Sequence, residues 1–478
     1  MKLIASGIFF LFFFVAQSQT SVVKDIKSFG AKGDGKTNDQ AAFQKAADYF
    51  NKRGGHGKLI ISKGTYIVGK QSFTGGKQNQ PAYTGEDVMH FTHIKDFNVT
   101  GRAGSLLRYA PGLRFGAFSP ATGKPYDHGN NYFVNRAYIA AVGSCILIDN
   151  CDNIIISGIT VDGNCGNLIL GGIYGDVGRQ IPHNGIYISN SRRIQINKNY
   201  LHHFGLDGII ISNKETSLPD SITITDCNFE YNSRQGLSWV GGNQLYVKNC
   251  KFNHMGKGKL TSSPGAGVDV EAEVGPVRNG IFDNCEFIDN AGCGFLADSG
   301  NSGDCTLTGC TFWGTTNWSI WITKPGFSFH NCNISGSFVH GYSSPSVDKA
   351  TKFYNCSFED KPFHGNPSYG KYLVETNEIK RMVFSDCNFT SNTKKLCWFS
   401  SSAHSVEEKY QLTNCSFTIN NKNLSEGDFV GIIRGAALKN CIFTFADPEA
   451  KKKRYYLGGY SEASNADLGG NKIIYKNQ

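Results

Sequence analysis

One short pattern recurs along the chain and limits its fold more than any other feature: Asn or Asp, then Cys, any residue, then Phe or Ile. It reads Asp226-Cys227-Asn228-Phe229 and Asn249-Cys250-Lys251-Phe252. Further copies place Cys285 before Phe287, Cys310 before Phe312, Cys332 before Ile334 and Cys356 before Phe358. Three more place Cys387 before Phe389, Cys415 before Phe417 and Cys441 before Phe443, and only Gly309 departs from Asn/Asp at the first position. Successive cysteines lie 22 to 35 residues apart, and degenerate copies at Ile159/Val161 and Asn199/Leu201 fit the same frame. A unit of this length cannot bury its apolar face alone, so units stack about 4.8 Å apart and share one core. The fold class this predicts is all-β: a single-stranded right-handed parallel β-helix, or β-solenoid.

Strand side chains alternate, so each Cys and the Phe two residues later face inward together. The Asn or Asp before them is expected to cap a bend by bonding to backbone. Fifteen cysteines in an exported chain first suggest a disulfide scaffold. The odd count and the spacing argue instead for an internal ladder of small buried thiols, and no Cys-x-x-Cys pair offers a metal site. Glycine is abundant at 56 residues and aromatics reach 13%, which many turns and short strands produce and long helices do not.

The N-terminus has the layout of a secretion signal: Lys2, then an apolar run from Ile8 to Val15 too short to span a bilayer, then Ala16-Gln17-Ser18. The expected division is a signal peptide at 1–18, an N-terminal cap segment and first coil at 19–70, the β-helix at 71–450, and a C-terminal cap or tail at 451–478. The mature chain is expected to be secreted, extracellular or periplasmic, with no membrane span, as a monomer. Its net charge of +9 falls to +8 when Lys2 leaves, which suits an anionic polymer or a neutral background equally. The run Lys451 to Arg454 reads as a solvated charge cluster rather than a nucleic-acid site.

Two segments carry a family likeness. Ser28 to Ala46 reads SFGAKGDGKTNDQAAFQKA, and Lys58 to Val68 reads KLIISKGTYIV. Together they resemble the opening of the pectate lyase superfamily, which includes polygalacturonases, mannuronan epimerases, several lyases and phage tailspikes. The resemblance implies the same β-helix and business with a carbohydrate polymer, a polysaccharide or oligosaccharide substrate. From Asp39 to roughly Asn51 an amphipathic helix is expected, with Phe43, Ala46 and Phe50 on one side, capping the open first coil. Gly33-Asp34-Gly35 reads as a turn, not a phosphate cradle. The subfamilies' catalytic signatures are missing: no polygalacturonase set, no epimerase Asp-Pro-His (Ile181-Pro182-His183-Asn184 is a faint echo), no Arg-x-Pro-x-x-Arg of the pectate lyases. No activity transfers residue by residue.

The repeat supplies a register instead. Seven residues beyond Leu201, Phe229, Phe287 and Phe312 stand Gly208, Gly236, Gly294 and Ser319; longer loops precede Gly185 and Gly267. Counting from each glycine, the second residues form an outward column: Tyr187, Ile210, Ser238, Asp269, Leu296, Trp321. The fourth form another: Ser189, Ser212, Val240, Glu271, Asp298, Thr323. Asp269, Glu271 and Asp298 should therefore meet on one solvent face, Glu271 beside Asp298. Like charges so close raise at least one pKa, leaving one group a proton donor and another ionised, as glycoside hydrolysis requires. These three are the catalytic candidates.

Trp321, Lys324, Asp207, Arg234, His203, His183 and Lys257 are the candidate substrate-binding residues, the last two from inserted loops that also hold His254, Lys259, Asp176 and Arg179. No cofactor is firmly implied, and calcium is the alternative occupant of the carboxylates. Three readings stay open: a glycoside hydrolase; a polysaccharide lyase or uronate epimerase with calcium; a non-catalytic glycan-binding protein.

Overall fold

The computed structural model describes residues 21–75, 81–125, 139–171, 183–214, 218–314, 318–336, 339–360, 362, 365–376, 381–400, 403–422, 432–447 and 465–476. The signal segment, the Lys451–Arg454 run and the loop residues Asp176 and Arg179 lie outside them.

Parallel strands stack coil upon coil into a right-handed β-helix with three faces. The first face runs through Met89–Thr92, Ile146–Asp149, Ile186–Ser189, Ile209–Ser212, Leu237–Lys248, Val268–Asp283, Phe295–Ser302 and Ile320–Ile322. Leu237–Lys248 and Val268–Asp283 continue round a bend into the second face, where they pair with Ile222–Thr225 and Cys305–Thr308. The third face is a 15-stranded sheet that holds the Phe of each repeat.

The repeat residues fill the cylinder as the alternation requires. All fifteen cysteines are free and buried. The nine repeat thiols each reach a main-chain carbonyl of the preceding coil at 3.4–3.8 Å. The phenylalanines stack face to face: Phe287 on Phe312 at 4.7 Å and 8°, Phe389 on Phe417 at 4.6 Å and 7°. Parallel rings recur because each coil offers the same position one strand spacing further along.

The residue before each cysteine works differently from the expected backbone cap. Asp226, Asn249, Asn284, Asn331, Asn355, Asp386, Asn414 and Asn440 all have φ between 51° and 57°. Asn and Asp tolerate this left-handed region best among residues with a Cβ, and glycine enters it freely, which explains Gly309 at φ 64°. Their side chains bond along the axis to one another, Asn284 to Asn249 at 2.9 Å and Asn440 to Asn414 at 3.1 Å. Asn and Asp thus both turn the chain and cross-link coils.

The helix Gln40–Lys52 buries Phe43, Ala46, Ala47 and Phe50 against the first coil. Asp39 does not cap it with its side chain. Its carboxylate instead accepts the Lys32 and Gly33 N–H groups at 2.7 and 3.0 Å, fixing the turn ahead of Asp34. No described helix is long and apolar enough to cross a membrane.

Candidate functional site: a carboxylate cluster on the first face

The outward column of the first face pairs in the order Tyr187, Ile210, Ser238, Asp269, Leu296, Trp321. The glycines that set this register sit where coils touch: a Cβ on Gly267 would stand 2.6 Å from the Gly294 carbonyl oxygen. Val268 and Val270 point into the core, so Asp269 and Glu271 point away from it.

Past Asp269 the ladder shifts. Glu271 pairs with Ser299, not Asp298 as uniform counting would have it. A bulge between Asp269 and Glu271 accounts for the slip, and bulges re-aim side chains in this way. The three carboxylates still converge, with one oxygen from each of Asp269, Glu271 and Asp298 lying within 4.8 Å of the others.

Their exposures differ, which corrects the expectation of three solvated carboxylates. Asp269 is 0% exposed, Glu271 is half-buried and Asp298 is exposed. Burial pushes the Asp269 carboxyl well above the ordinary carboxylate range, with the Glu271 charge adding to it. Its Oδ2 accepts a bond from the Gln235 amide, and its buried Oδ1 has no hydrogen-bond partner. Burial also pushes Glu271 up to about 7, with Glu273 and Asp298 adding and Arg234 opposing.

Arg234 and Asp207 form the buried base of the site. The Arg234 guanidinium grips Asp207 with two N–H groups, Nε at 2.8 Å from Oδ1. Burial works against the Arg234 charge, but the Asp207 carboxylate outweighs it and Glu271 and Asp269 reinforce it, so its pKa is raised. Ser238 donates to Asp207 at 2.8 Å, and the Gln235 N–H donates to the same carboxylate at 3.1 Å. Gln235 and Ser238 escaped the sequence reading. Gln235 precedes the glycine from which the columns were counted; Ser238 stands in the outward column, directly opposite Asp269, but carries no charge to mark it.

Apolar surface flanks the charges on both sides. On one, Leu206, Ile210 and Val240 pack with Tyr187. They line a cleft of about 420 Å³ that Arg234 and Glu273 reach. On the other, Ala266, Cys293 and Leu296 pack with Trp318 and Trp321. The half-buried Trp321 ring stacks on His340 at 4.1 Å and 15°. Lys324 follows Thr323, whose hydroxyl bonds the Asp298 carbonyl at 3.3 Å.

Three nominated residues stand elsewhere. His183 does not line a groove: it is 0% exposed, its ring 4.6 Å from Tyr109 and 5.3 Å from Phe204. Its Nδ1 accepts the Gly205 N–H at 3.0 Å, and burial pulls its pKa down to about 3, so it stays neutral. His203 leaves the third face beside His202 and Asp162, four residues before Asp207. Lys257 is ion-paired to Asp289 at 3.2 Å.

Comparison with known proteins agrees on architecture. Residues 144–334 match the family described as the right handed beta helix region. The chain is similar to the mannuronan C-5 epimerase AlgE4 A-module of Azotobacter vinelandii, with 15% identity, a TM-score of 0.43, and 93% of this chain and 100% of that one covered. It is also similar to the catalytic domain of a GH87 alpha-1,3-glucanase, with 9% identity, a TM-score of 0.46, and 95% and 69% covered. A third likeness is to PfbA, a surface adhesin of Streptococcus pneumoniae, with 13% identity, a TM-score of 0.42, and 96% and 91% covered. No curated protein sequence matches significantly. Likeness at these identities is one of fold alone.

Proposed function

We propose that this protein is an exported carbohydrate-active enzyme that hydrolyses glycosidic bonds in a polysaccharide. The observation that carries the reading is the convergence of Asp269, Glu271 and Asp298 within 4.8 Å at unequal exposure. Hydrolysis needs a carboxylic acid to protonate the leaving oxygen and an ionised carboxylate as base or nucleophile. Glu271, pushed up to about 7, keeps its proton near neutrality and serves as the acid. Asp298, open to solvent, serves as the partner carboxylate. Asp269 is the buried neighbour of Glu271, oriented by the Gln235 amide, while burial and the nearby Glu273 and Asp298 carboxylates hold the Glu271 pKa high. A pyranose ring has an apolar face, and Trp321 on one side and Tyr187 on the other offer platforms along the groove.

Proton abstraction beside a carboxylate, as in a lyase or epimerase, needs a base and a cation to neutralise the substrate. Of the groups nominated for this, Arg234 is committed to Asp207 and Lys257 to Asp289, which leaves Lys324 and His203. Calcium takes six to eight oxygens and would hold all three carboxylates ionised, which is incompatible with Glu271 as an acid.

The test is incubation of the purified protein with a panel of neutral and anionic polysaccharides, with mass analysis of the products. Saturated oligosaccharides gaining one water per cleavage are expected. An unsaturated product absorbing in the ultraviolet, or no cleavage across the panel, overturns the reading.

A further inference from the structure

We propose that Asp162, His202 and His203 form a binding site for a divalent transition metal of the zinc(II) class, separate from the carboxylate cluster. Each offers one ligand atom, and those atoms lie within 4.8 Å of one another. Imidazole nitrogen with carboxylate oxygen is a ligand set zinc accepts, and three protein ligands leave a fourth position for water.

The arrangement is built by the coil. Asp162 and His202 end adjacent third-face strands in register, so both side chains leave the sheet on one side. His203 follows at φ 57°, and this left-handed turn swings its ring back toward His202. The two Nδ1 atoms face each other at 2.6 Å, and the His202 Nδ1 lies 3.8 Å from Asp162 Oδ1. Two ring nitrogens can approach so closely only with one proton between them, and a metal ion takes that proton's place. Tetrahedral coordination at zinc bond lengths needs ligand separations of about 3.3 Å, so the rings part by less than about 1 Å.

The surrounding contacts orient these ligands before any ion arrives. His203 stacks on Tyr231 at 5.3 Å and 15°, and His202 lies against Tyr200 at 4.3 Å. Arg108 holds Asp162 Oδ2 at 3.0 Å and the Asn164 N–H holds Oδ1 at 2.9 Å. Glu230, next to His202 in the ladder, offsets the Arg108 charge and accepts the Tyr200 hydroxyl at 2.7 Å. All three ligand residues are half-buried, so an ion can enter from solvent. Once bound, it clips the coil of Asp162 to the coil of His202.

The test is calorimetric titration of chelator-treated full-length protein with zinc(II) chloride, with the melting temperature followed in parallel. One equivalent should bind and raise Tm. His203→Asn, which tolerates the positive φ, and His202→Gln should each weaken binding about 10–100-fold or more while keeping the circular dichroism of the parent. Asp298→Asn should bind as the parent does. No binding, binding undiminished in both histidine variants, or binding lost only in Asp298→Asn overturns the proposal.

Discussion

Glu271 carries the most information about the chemistry. Its folded-state pKa of about 7 lies above the ordinary 4.5, so between those values the native state holds a proton that the unfolded chain has released. Stability contributed at this site is therefore full at low pH and falls as pH rises through that window. Glu271→Gln removes the cost: Tm should rise by a few degrees at pH 8, about 1–2 kcal/mol after allowing for partial solvent screening, and stay unchanged at pH 4. Equal Tm shifts at both pH values contradict the electrostatic account. The same variant should lose hydrolysis, and the parent's activity should decline above pH 7 as the acid ionises. Asp298→Asn tests the other half of the pair: turnover should drop about 10²–10⁴-fold with an unaltered melting curve, since Asp298 is exposed. Retained turnover in Asp298→Asn removes it from the reaction.

At the scale of the strand and turn, alternation and the glycine register were legible because every coil repeats them. The column from Tyr187 to Trp321 follows from counting by twos. What counting could not show is the bulge after Asp269, where the partner of Glu271 slips to Ser299, because a single inserted residue leaves no mark in a hydrophobic pattern. His183 misled for a related reason: it follows a long loop, and nothing in its neighbours said whether the ring turned toward Tyr109 or toward solvent. The residue before each cysteine differs from expectation in its task, because a left-handed turn and a backbone cap favour the same Asn and Asp. The left-handed role makes a specific prediction at Asn284, φ 52° and bonded to Asn249. Asn284→Ala should cost about 1–2 kcal/mol in chemical denaturation, and Asn284→Gly about half as much, since glycine loses the side-chain bond but not the conformation. An alanine variant as stable as the glycine one would show that φ is not what the position selects. Phe287→Ala, in the middle of the ring stack, should cost about 3–5 kcal/mol.

For the molecule as a whole, stacking coils replace cross-links. A small exported domain lacking a large core uses disulfides to constrain its unfolded chain. Here the core lengthens with each coil, so the fifteen cysteines are free to act as compact apolar filling. Burial raises the Cys145, Cys293 and Cys305 pKa values, which keeps those sulfurs as unreactive thiols. The same cylinder delivers the groove: a straight outward column on which every coil adds one residue, apolar near Tyr187, acidic at Asp269, aromatic at Trp321. Interior and groove therefore come from one alternation. The folded protein should then show fewer than about one thiol reactive with dithionitrobenzoate, and all fifteen after denaturation in guanidinium. A reducing agent should leave both Tm and hydrolysis unchanged. A thiol count well below fifteen in the denatured chain, with Tm falling on reduction, would mean that cross-links rather than coil stacking hold the cylinder.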